Sequence, residues 1–249
     1  MAGGSRFGAA GLSDAALAPL LERAFVRMRP AAVALVINSP GGSPVQSSLI
    51  AARIRRLSED NRVPVHAFVE DLAASGGYWL ATAADQIWLD PSSIVGSIGV
   101  ISAAFGLHEA IGRYGVERRV HTAGRSKSFL DPFQPEREED VVRLRSLIDP
   151  MHATFIAQVR ARRAARLREE KTDLFAGDVW IGAQAVELGL ADGIDHVEPK
   201  MKALFGPKVK LVPLGQRRSL FQRLGADVVD GAAAAATEGA LRARYGIQA

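Results

Sequence analysis

Two apolar runs, each followed by a glycine-containing turn and a helical pattern, constrain the fold of this chain most. The first run covers 32–37 (AVALVI) and ends at the turn 38–44 (NSPGGSP). The second covers 63–70 (VPVHAFVE) and ends at the turn 71–77 (DLAASGG). Continuous apolar runs are typical of strands buried on both faces of a parallel sheet. Strand–turn–helix units in series therefore predict an α/β fold, with both turns at one edge of a mostly parallel sheet.

The rest of the pattern predicts one domain with a helical C-terminal appendage. Residues 1–12 are expected to be disordered, 13–213 to form a single domain and 214–249 to form a helical tail. Further strands are predicted at 86–90, 97–101, 116–122 and 209–213. Helices are predicted at 15–28, 45–58, 78–84, 107–114, 136–170 (with a break near Pro150) and 183–188.

Composition excludes several kinds of chemistry. The absence of cysteine rules out disulfides, thiol nucleophiles and thiolate metal sites, and the five histidines lack metal-ligand spacing. We therefore predict no metal and no cofactor. The arginine-rich run 160–171 contains no aromatic residue, so it predicts a solvated helix face rather than a nucleic-acid surface, with an anionic membrane surface as the minor alternative. Neither a signal peptide nor a membrane span is recognisable, which predicts a soluble chain of unknown compartment.

Ser75 is the candidate nucleophile. It lies at a predicted strand-to-helix turn between Ala74 and Gly76, residues too small to shield its hydroxyl. The N–H groups of Gly76 and Gly42 are candidate donors to an oxyanion. Each glycine turn also has a simpler explanation, namely a tight connection that lets backbones pack closely.

The general base is less clear from the residues alone. The histidines at 66, 121 and 152 lie in a strand, near a strand end and in a helix, where packed or surface roles explain them. Lys127 lies in a polar loop, outside the helical and C-terminal segments that hold the other lysines. Burial can make a lysine neutral, whereas arginine stays charged, but a surface lysine remains the alternative.

Five motifs in one order give the chain a family resemblance between residues 32 and 195. They are 38–42 (NSPGG), 74–78 (ASGGY), 95–100 (VGSIGV), 124–127 (GRSK) and 177–190 (GDVWIGAQAVELGL). Together they resemble the bacterial signal peptide peptidase A (protease IV) family of Ser/Lys serine peptidases. Each motif is only moderately specific, and their common order carries the resemblance.

The resemblance implies a ClpP/crotonase-like fold and assigns roles to five residues. Ser75 would be the nucleophile and Lys127 the general base. Ser97 would orient the lysine, while Gly42 and Gly76 would provide the oxyanion hole.

The resemblance also implies a substrate and an assembly. The family cleaves hydrophobic peptides such as released signal peptides without ATP, in a homo-oligomer whose protomers can share the dyad. It suggests inner-membrane association as well, although the chain begins without the apolar strand or anchor usual in the family. The peptide would pair with the main chain of a substrate-binding edge, made of Ser97, Ile98, Gly99, Val100 and Ile101.

Two other functions remain open from the sequence. A crotonase-fold acyl-CoA hydratase or isomerase would use carboxylates near the oxyanion turns, where Glu70 and Asp71 are available. A non-catalytic oligomeric scaffold on the same fold would need neither Ser75 nor Lys127.

Overall fold

The computed structural model describes residues 12–124 and 127–215, which divide into two compact units. The first unit holds residues 12–98 and 157–215, and the second holds residues 99–156. The prediction for residues 1–12 and that for the tail 214–249 fall almost entirely outside the described residues.

The first unit is built on a mixed, mostly parallel sheet. Within the described residues the sheet has six strands, with β5–β4–β2–β3–β6 as its order and β1 paired to β2. Every strand pair is parallel except β4 with β5, which is antiparallel. This arrangement confirms the predicted α/β, ClpP/crotonase-like fold. The strands are β1 (Val33–Ser39), β2 (Val65–Ala74), β3 (Gln86–Leu89), β4 (Ile94–Gly96), β5 (Val179–Ile181) and β6 (Gly193–Ile194).

Helices connect these strands and make up much of the second unit. Ser13 caps the first helix, since its Oγ accepts a hydrogen bond from the Ala16 N–H at 3.3 Å. None of the helices among the described residues combines the length and apolar character needed to cross a membrane. The α-helices are α1 (Asp14–Glu22), α2 (Pro44–Asn61), α3 (Gly76–Ala81), α4 (His108–Arg113), α5 (Glu138–Arg163), α6 (Gly182–Glu187) and α7 (Val197–Phe205).

Strand β2 is the centre of the sheet, and its neighbour on one edge changes halfway along. It pairs with β3 over residues 66–69 and with β4 over residues 72–74. Glu70 and Asp71 fall in the gap and are exposed, whereas the rest of the strand is buried. The Ser93 Oγ lies 2.9 and 2.5 Å from the carbonyl oxygens of Val69 and Glu70, so its one proton is shared between these two acceptors where the ladder is interrupted.

Three predicted strands are wrong. The backbone of Ser97 has a φ of 51° and its N–H donates to the Asp178 carbonyl, so the chain leaves the sheet before 97–101. Segment 116–122 pairs with no strand in the described part of the chain and is mostly exposed. At 209–213, Val209 packs against a small core of Phe68, Trp88 and Met201, but the segment forms no ladder with any strand that the structure describes.

The helix predictions need smaller corrections. The first helix continues beyond α1 as a π-helical turn, Arg23–Arg27. Helix α5 runs through Pro150 without a break and stops at Arg163, before a 3₁₀ turn at Ala164–Arg166. Helix α7 was not predicted, although Val197, Met201 and Leu204 have the spacing of one helix face.

A buried ion pair fastens the end of α5 to the sheet. The Arg163 side chain is 2% exposed and its Nη1 lies 2.7 Å from the Asp192 carboxylate. The same guanidinium donates to the Gly189 carbonyl, and Asp192 also accepts the Ile87 N–H of β3 at 2.8 Å. Because both charges have several hydrogen-bond partners, their burial can be tolerated.

Removal of one partner should therefore be costly. We expect Arg163→Met to lower the free energy of unfolding by about 3 kcal/mol, because it removes the buried countercharge of Asp192 and leaves that carboxylate only the half-exposed Arg166, at 3.3 Å. Arg119→Met, which breaks an exposed ion pair with Glu117, should change stability little. Urea unfolding of both variants measures the difference, and equal effects would contradict this account of the buried pair.

His66 should make stability depend on pH. Burial lowers the pKa of this β2 histidine below 6.5, with Asp85 acting to raise it and Lys200 to lower it. The folded state therefore favours neutral His66, and this contribution to stability is lost as the pH falls below the ordinary histidine pKa of about 6.5. We expect His66→Leu to reduce the stability difference between about pH 7.5 and about pH 5.5 in urea unfolding. The exposed His121, replaced in the same way, is the control and should leave that difference unchanged.

Candidate functional site

Ser75 connects the end of β2 directly to the start of α3. Its backbone has φ 51° and ψ −120°, a conformation that residues other than glycine rarely adopt. Two hydrogen bonds hold it there, from the Ser75 N–H to the Gly96 carbonyl at 2.8 Å and from the Trp79 N–H to the Ser75 carbonyl at 3.0 Å. A strained serine between a strand and a helix is the local geometry of a nucleophile elbow. The strand extends four residues beyond its predicted end, so the turn consists of Ser75 alone.

The first glycine turn packs against the Ser75 turn. A Cβ added to Gly41 would lie 3.0 Å from the Ser75 Cβ and 3.2 Å from the Ala74 carbonyl oxygen. The Asn38 side-chain amide donates to the Asp71 carboxylate at 2.6 Å, which joins the two turns a second time. The prediction that both turns lie together at one edge of the sheet is confirmed.

The two predicted oxyanion donors come together. Gly76 is the first residue of α3, so its N–H has no acceptor within that helix. The Gly42 nitrogen lies 3.3 Å from the position that a Cβ on Gly76 would occupy. Gly42 is exposed and Gly76 is buried. The Gly42 nitrogen therefore lies close to Gly76, and the oxyanion hole itself stays a prediction.

Ser97 lies next to the residue that holds Ser75 in place. It follows Gly96, whose carbonyl accepts the Ser75 N–H, and it is 6% exposed. Gly96 packs against the Trp180 ring, where an added Cβ would lie 2.8 Å from a ring carbon. In the predicted substrate-binding edge, Ser97 and Ile98 belong to the first unit, while residues 99–101 belong to the second.

Lys127 belongs to the second unit. It is exposed, and its N–H donates to the Gly124 carbonyl at 3.1 Å in a tight turn. The following loop is anchored to α5, because the Asp140 carboxylate accepts the Leu130 N–H at 3.3 Å and pairs with Arg137 at 2.9 Å. The two members of the predicted dyad thus lie in different units, and the dyad itself stays a prediction.

The carboxylates on which the hydratase hypothesis depends line a separate cavity of about 560 Å³ in the first unit. Glu70 and Asp71 lie there with Asp90 and Asp195, whereas Ser75 is not part of the lining. A hydrogen bond from His196, at 2.9 Å, lowers the pKa of Asp90. Across the described ranges, no group of three or more histidines and carboxylates is arranged to hold a metal ion.

Sequence reasoning missed two parts of this site. It treated Gly41 only as part of a motif, although this residue makes the closest approach to Ser75. It also passed over Ser47, a buried side chain of α2 that lies against Gly76. The sequence around Ser47, with Val45, Leu49 and Ile50, gave no reason to select this serine. Its contact in space is Gly76, which lies 29 residues further along the chain.

Gly41 should be needed for both stability and activity. Its φ is 118°, so Gly41→Ala adds backbone strain and also a Cβ that crowds Ser75. We expect unfolding in urea to show a loss of about 1–3 kcal/mol, with a marked fall in any Ser75-dependent hydrolysis. Gly206→Ala is the matched control, because φ is 90° there and an added Cβ would meet nothing within 4 Å. It should lose stability without slowing hydrolysis, and an unaffected rate in Gly41→Ala would contradict the proposed crowding.

Comparison with known proteins assigns the family. The profile of Peptidase family S49 matches residues 58–205. The chain is 48% identical over 95% of its length to a Na(+)/H(+) antiporter NhaA of Brucella abortus, of which the match covers 34%. It is 31% identical over 69% of its length to a putative protease of Methanocaldococcus jannaschii, and this match covers 54% of that protein. It is 28% identical over 69% of its length to a putative signal peptide peptidase SppA of Enterococcus faecium, and this match covers 49% of that protein. The chain thus spans between a third and about half of these curated relatives. Its match to the profile over more than half of its residues shows that it belongs to peptidase family S49.

Proposed function

We propose that this chain is a serine endopeptidase that cleaves hydrophobic peptides, such as released signal peptides, without ATP. The observation that carries the proposal is the strained Ser75 turn, with the amides of Gly42 and Gly76 beside it. Membership of peptidase family S49 supports peptide hydrolysis over the hydratase and scaffold alternatives. The name of the Enterococcus faecium relative supports signal peptides as a substrate class.

The proposed reaction proceeds through an acyl-enzyme. The Lys127 amine takes the proton from the Ser75 hydroxyl while Oγ attacks the carbonyl carbon of the scissile peptide bond. The N–H groups of Gly42 and Gly76 stabilise the resulting oxyanion, and each such donor typically lowers the barrier by about 2.7–4 kcal/mol. The protonated lysine then returns the proton to the leaving amine. A water molecule, deprotonated by the same lysine, hydrolyses the ester and releases Ser75.

Lys127 can act as a base only if it is neutral when the substrate is bound. An ammonium group in contact with water is well solvated and stays charged, whereas an apolar environment favours the neutral amine. Lys127 is exposed in the single chain. We therefore propose that assembly of a homo-oligomer buries it, and that it serves the Ser75 of a neighbouring protomer.

The substrate is proposed to bind as an added strand. Ser97 and the residues up to Ile101 carry the main-chain groups of the predicted substrate-binding edge, which lies outside the regular strands. An extended apolar peptide can use such groups for main-chain hydrogen bonds, while its side chains enter neighbouring pockets. In this proposal Ser97 also orients the Lys127 amine.

Variants of the dyad test the proposal directly. We expect Ser75→Ala and Lys127→Ala each to reduce hydrolysis of an apolar peptide by about 10³-fold or more, since each removes a group that the chemical step needs. Ser92→Ala and Lys171→Ala, at exposed positions in the first unit, are the matched controls and should keep wild-type rates. Circular dichroism and size-exclusion chromatography should show the same fold and assembly for all four. Retention of activity in either dyad variant would disprove the assignment.

Co-expression of the two inactive variants tests the shared dyad. If Ser75 of one protomer uses Lys127 of the next in a closed ring, random mixing restores about a quarter of the wild-type sites. If both residues act within one chain, the mixed oligomers stay inactive. The rate of hydrolysis per protomer distinguishes the two arrangements.

A further inference from the structure

Ser47 is a buried hydroxyl residue next to the proposed oxyanion hole. It lies in the first turns of α2 and is 6% exposed. The proposed reaction gives it no role, and its neighbours in sequence, Gln46 and Ser48, are partly exposed. Its position relative to Gly76 and Gly42 indicates what it does.

The side chain of Ser47 fills the space beside the Gly76 Cα. A Cβ on Gly76 would lie 2.5 Å from the Ser47 Oγ and 3.5 Å from the Ser47 Cβ. The Gly42 nitrogen lies 3.3 Å from the same point. The hydroxyl and the Gly42 amide therefore lie next to one another against Gly76, and this close approach also requires that residue 76 be glycine.

The backbone of Ser47 is tied to the segment that carries Gly42. Its N–H donates to the Ser43 carbonyl at 3.0 Å, and Ser43 is the N-cap of α2 and follows Gly42 directly. The Ser43 hydroxyl in turn accepts the Gln46 N–H at 3.4 Å. Ser47 is thus fixed to the turn that holds one donor, while its side chain contacts the residue that holds the other.

We propose that Ser47 is a positioning residue that sets the separation between the Gly42 and Gly76 amides. The inference rests on the peptidase function proposed above. An oxyanion is stabilised only when both donors are about 2.7–3.1 Å from its oxygen, so a small change in their separation weakens both bonds. Alanine at position 47 leaves a gap into which α3 can move, and cysteine presses a larger atom against Gly76. Both changes act on the transition state more than on the bound substrate, whose carbonyl carries less charge.

Steady-state kinetics of Ser47→Ala test the proposal. We expect kcat to fall by about tenfold or more, with KM changed by less than about twofold. Ser47→Cys should lose kcat in the same way, and it carries the test if the alanine variant does not fold. Ser58→Ala is the matched control, because Ser58 is also buried on α2, at 5% exposed, and its Oγ donates to the Val63 carbonyl far from the glycines. It should lower stability and leave kcat unchanged.

A peptide aldehyde provides a second readout that a purely structural role would not affect. The Ser75 Oγ adds to its carbonyl carbon, the hydroxyl proton moves to the base, and the former carbonyl oxygen becomes an oxyanion between the two amides. The affinity for this aldehyde should fall by the same factor as kcat in Ser47→Ala. The affinity of the uncleaved peptide for the Ser47→Ala/Ser75→Ala protein should match that for Ser75→Ala alone.

The outcomes separate this inference from the proposed function. If the wild-type protein cleaves the peptide and Ser75→Ala does not, a wild-type kcat in Ser47→Ala overturns the inference alone. Equal losses of kcat in Ser47→Ala and Ser58→Ala overturn it as well, because they indicate general destabilisation. If Ser75→Ala retains the wild-type rate, the proposed function fails and the inference fails with it.

Discussion

The backbone of Ser75 is the constraint on which the rest of the site depends. A residue with a side chain held at φ 51° and ψ −120° costs about 1–3 kcal/mol, and it persists only if its surroundings leave no alternative. Here the Gly96 carbonyl fixes one side of Ser75 and the first turn of α3 fixes the other. The space around it is so limited that a side chain on Gly41 or Gly76 would crowd its neighbours. The strain and the close packing together place the amides of the candidate oxyanion hole beside the serine.

Polar side chains provide hydrogen bonds where the strand pairing of this sheet is interrupted. Strand β2 changes partners halfway, which would leave carbonyls without hydrogen bonds inside the protein. The buried Ser93 hydroxyl shares its one proton between two of them, and β4 pairs with the last residues of β2. Elsewhere in the same unit, the paired side chains of Arg163 and Asp192 bind backbone groups of two separate segments, at Gly189 and Ile87. Stability of the fold and geometry of the site therefore depend on the same few buried polar groups.

The two residues of the proposed dyad belong to different compact units. Ser75 and both glycine turns are built into the sheet of the first, whereas Lys127 lies exposed in a turn of the second. A rigid sheet suits a nucleophile and its oxyanion hole, which need fixed geometry. An exposed lysine suits a group that becomes buried only in an assembly. Under this proposal the peptidase would be active only as an oligomer.

The sequence by itself determined the parts of this protein that depend on local chemistry. The apolar runs predicted a mostly parallel sheet. The glycine turns that follow them predicted Ser75 and the two amides of Gly42 and Gly76. Both predictions were possible because strand ends and glycine conformations depend on a few neighbouring residues. Only the tertiary structure decided where strands pair and which atoms touch. Residues 72–74 form a strand because β4 lies beside them. Residues 97–101 do not, because the Ser97 N–H donates to the Asp178 carbonyl instead. The contact of Ser47 with Gly76 likewise exists only in the folded chain. These outcomes depend on partners distant in the chain, which no local pattern specifies.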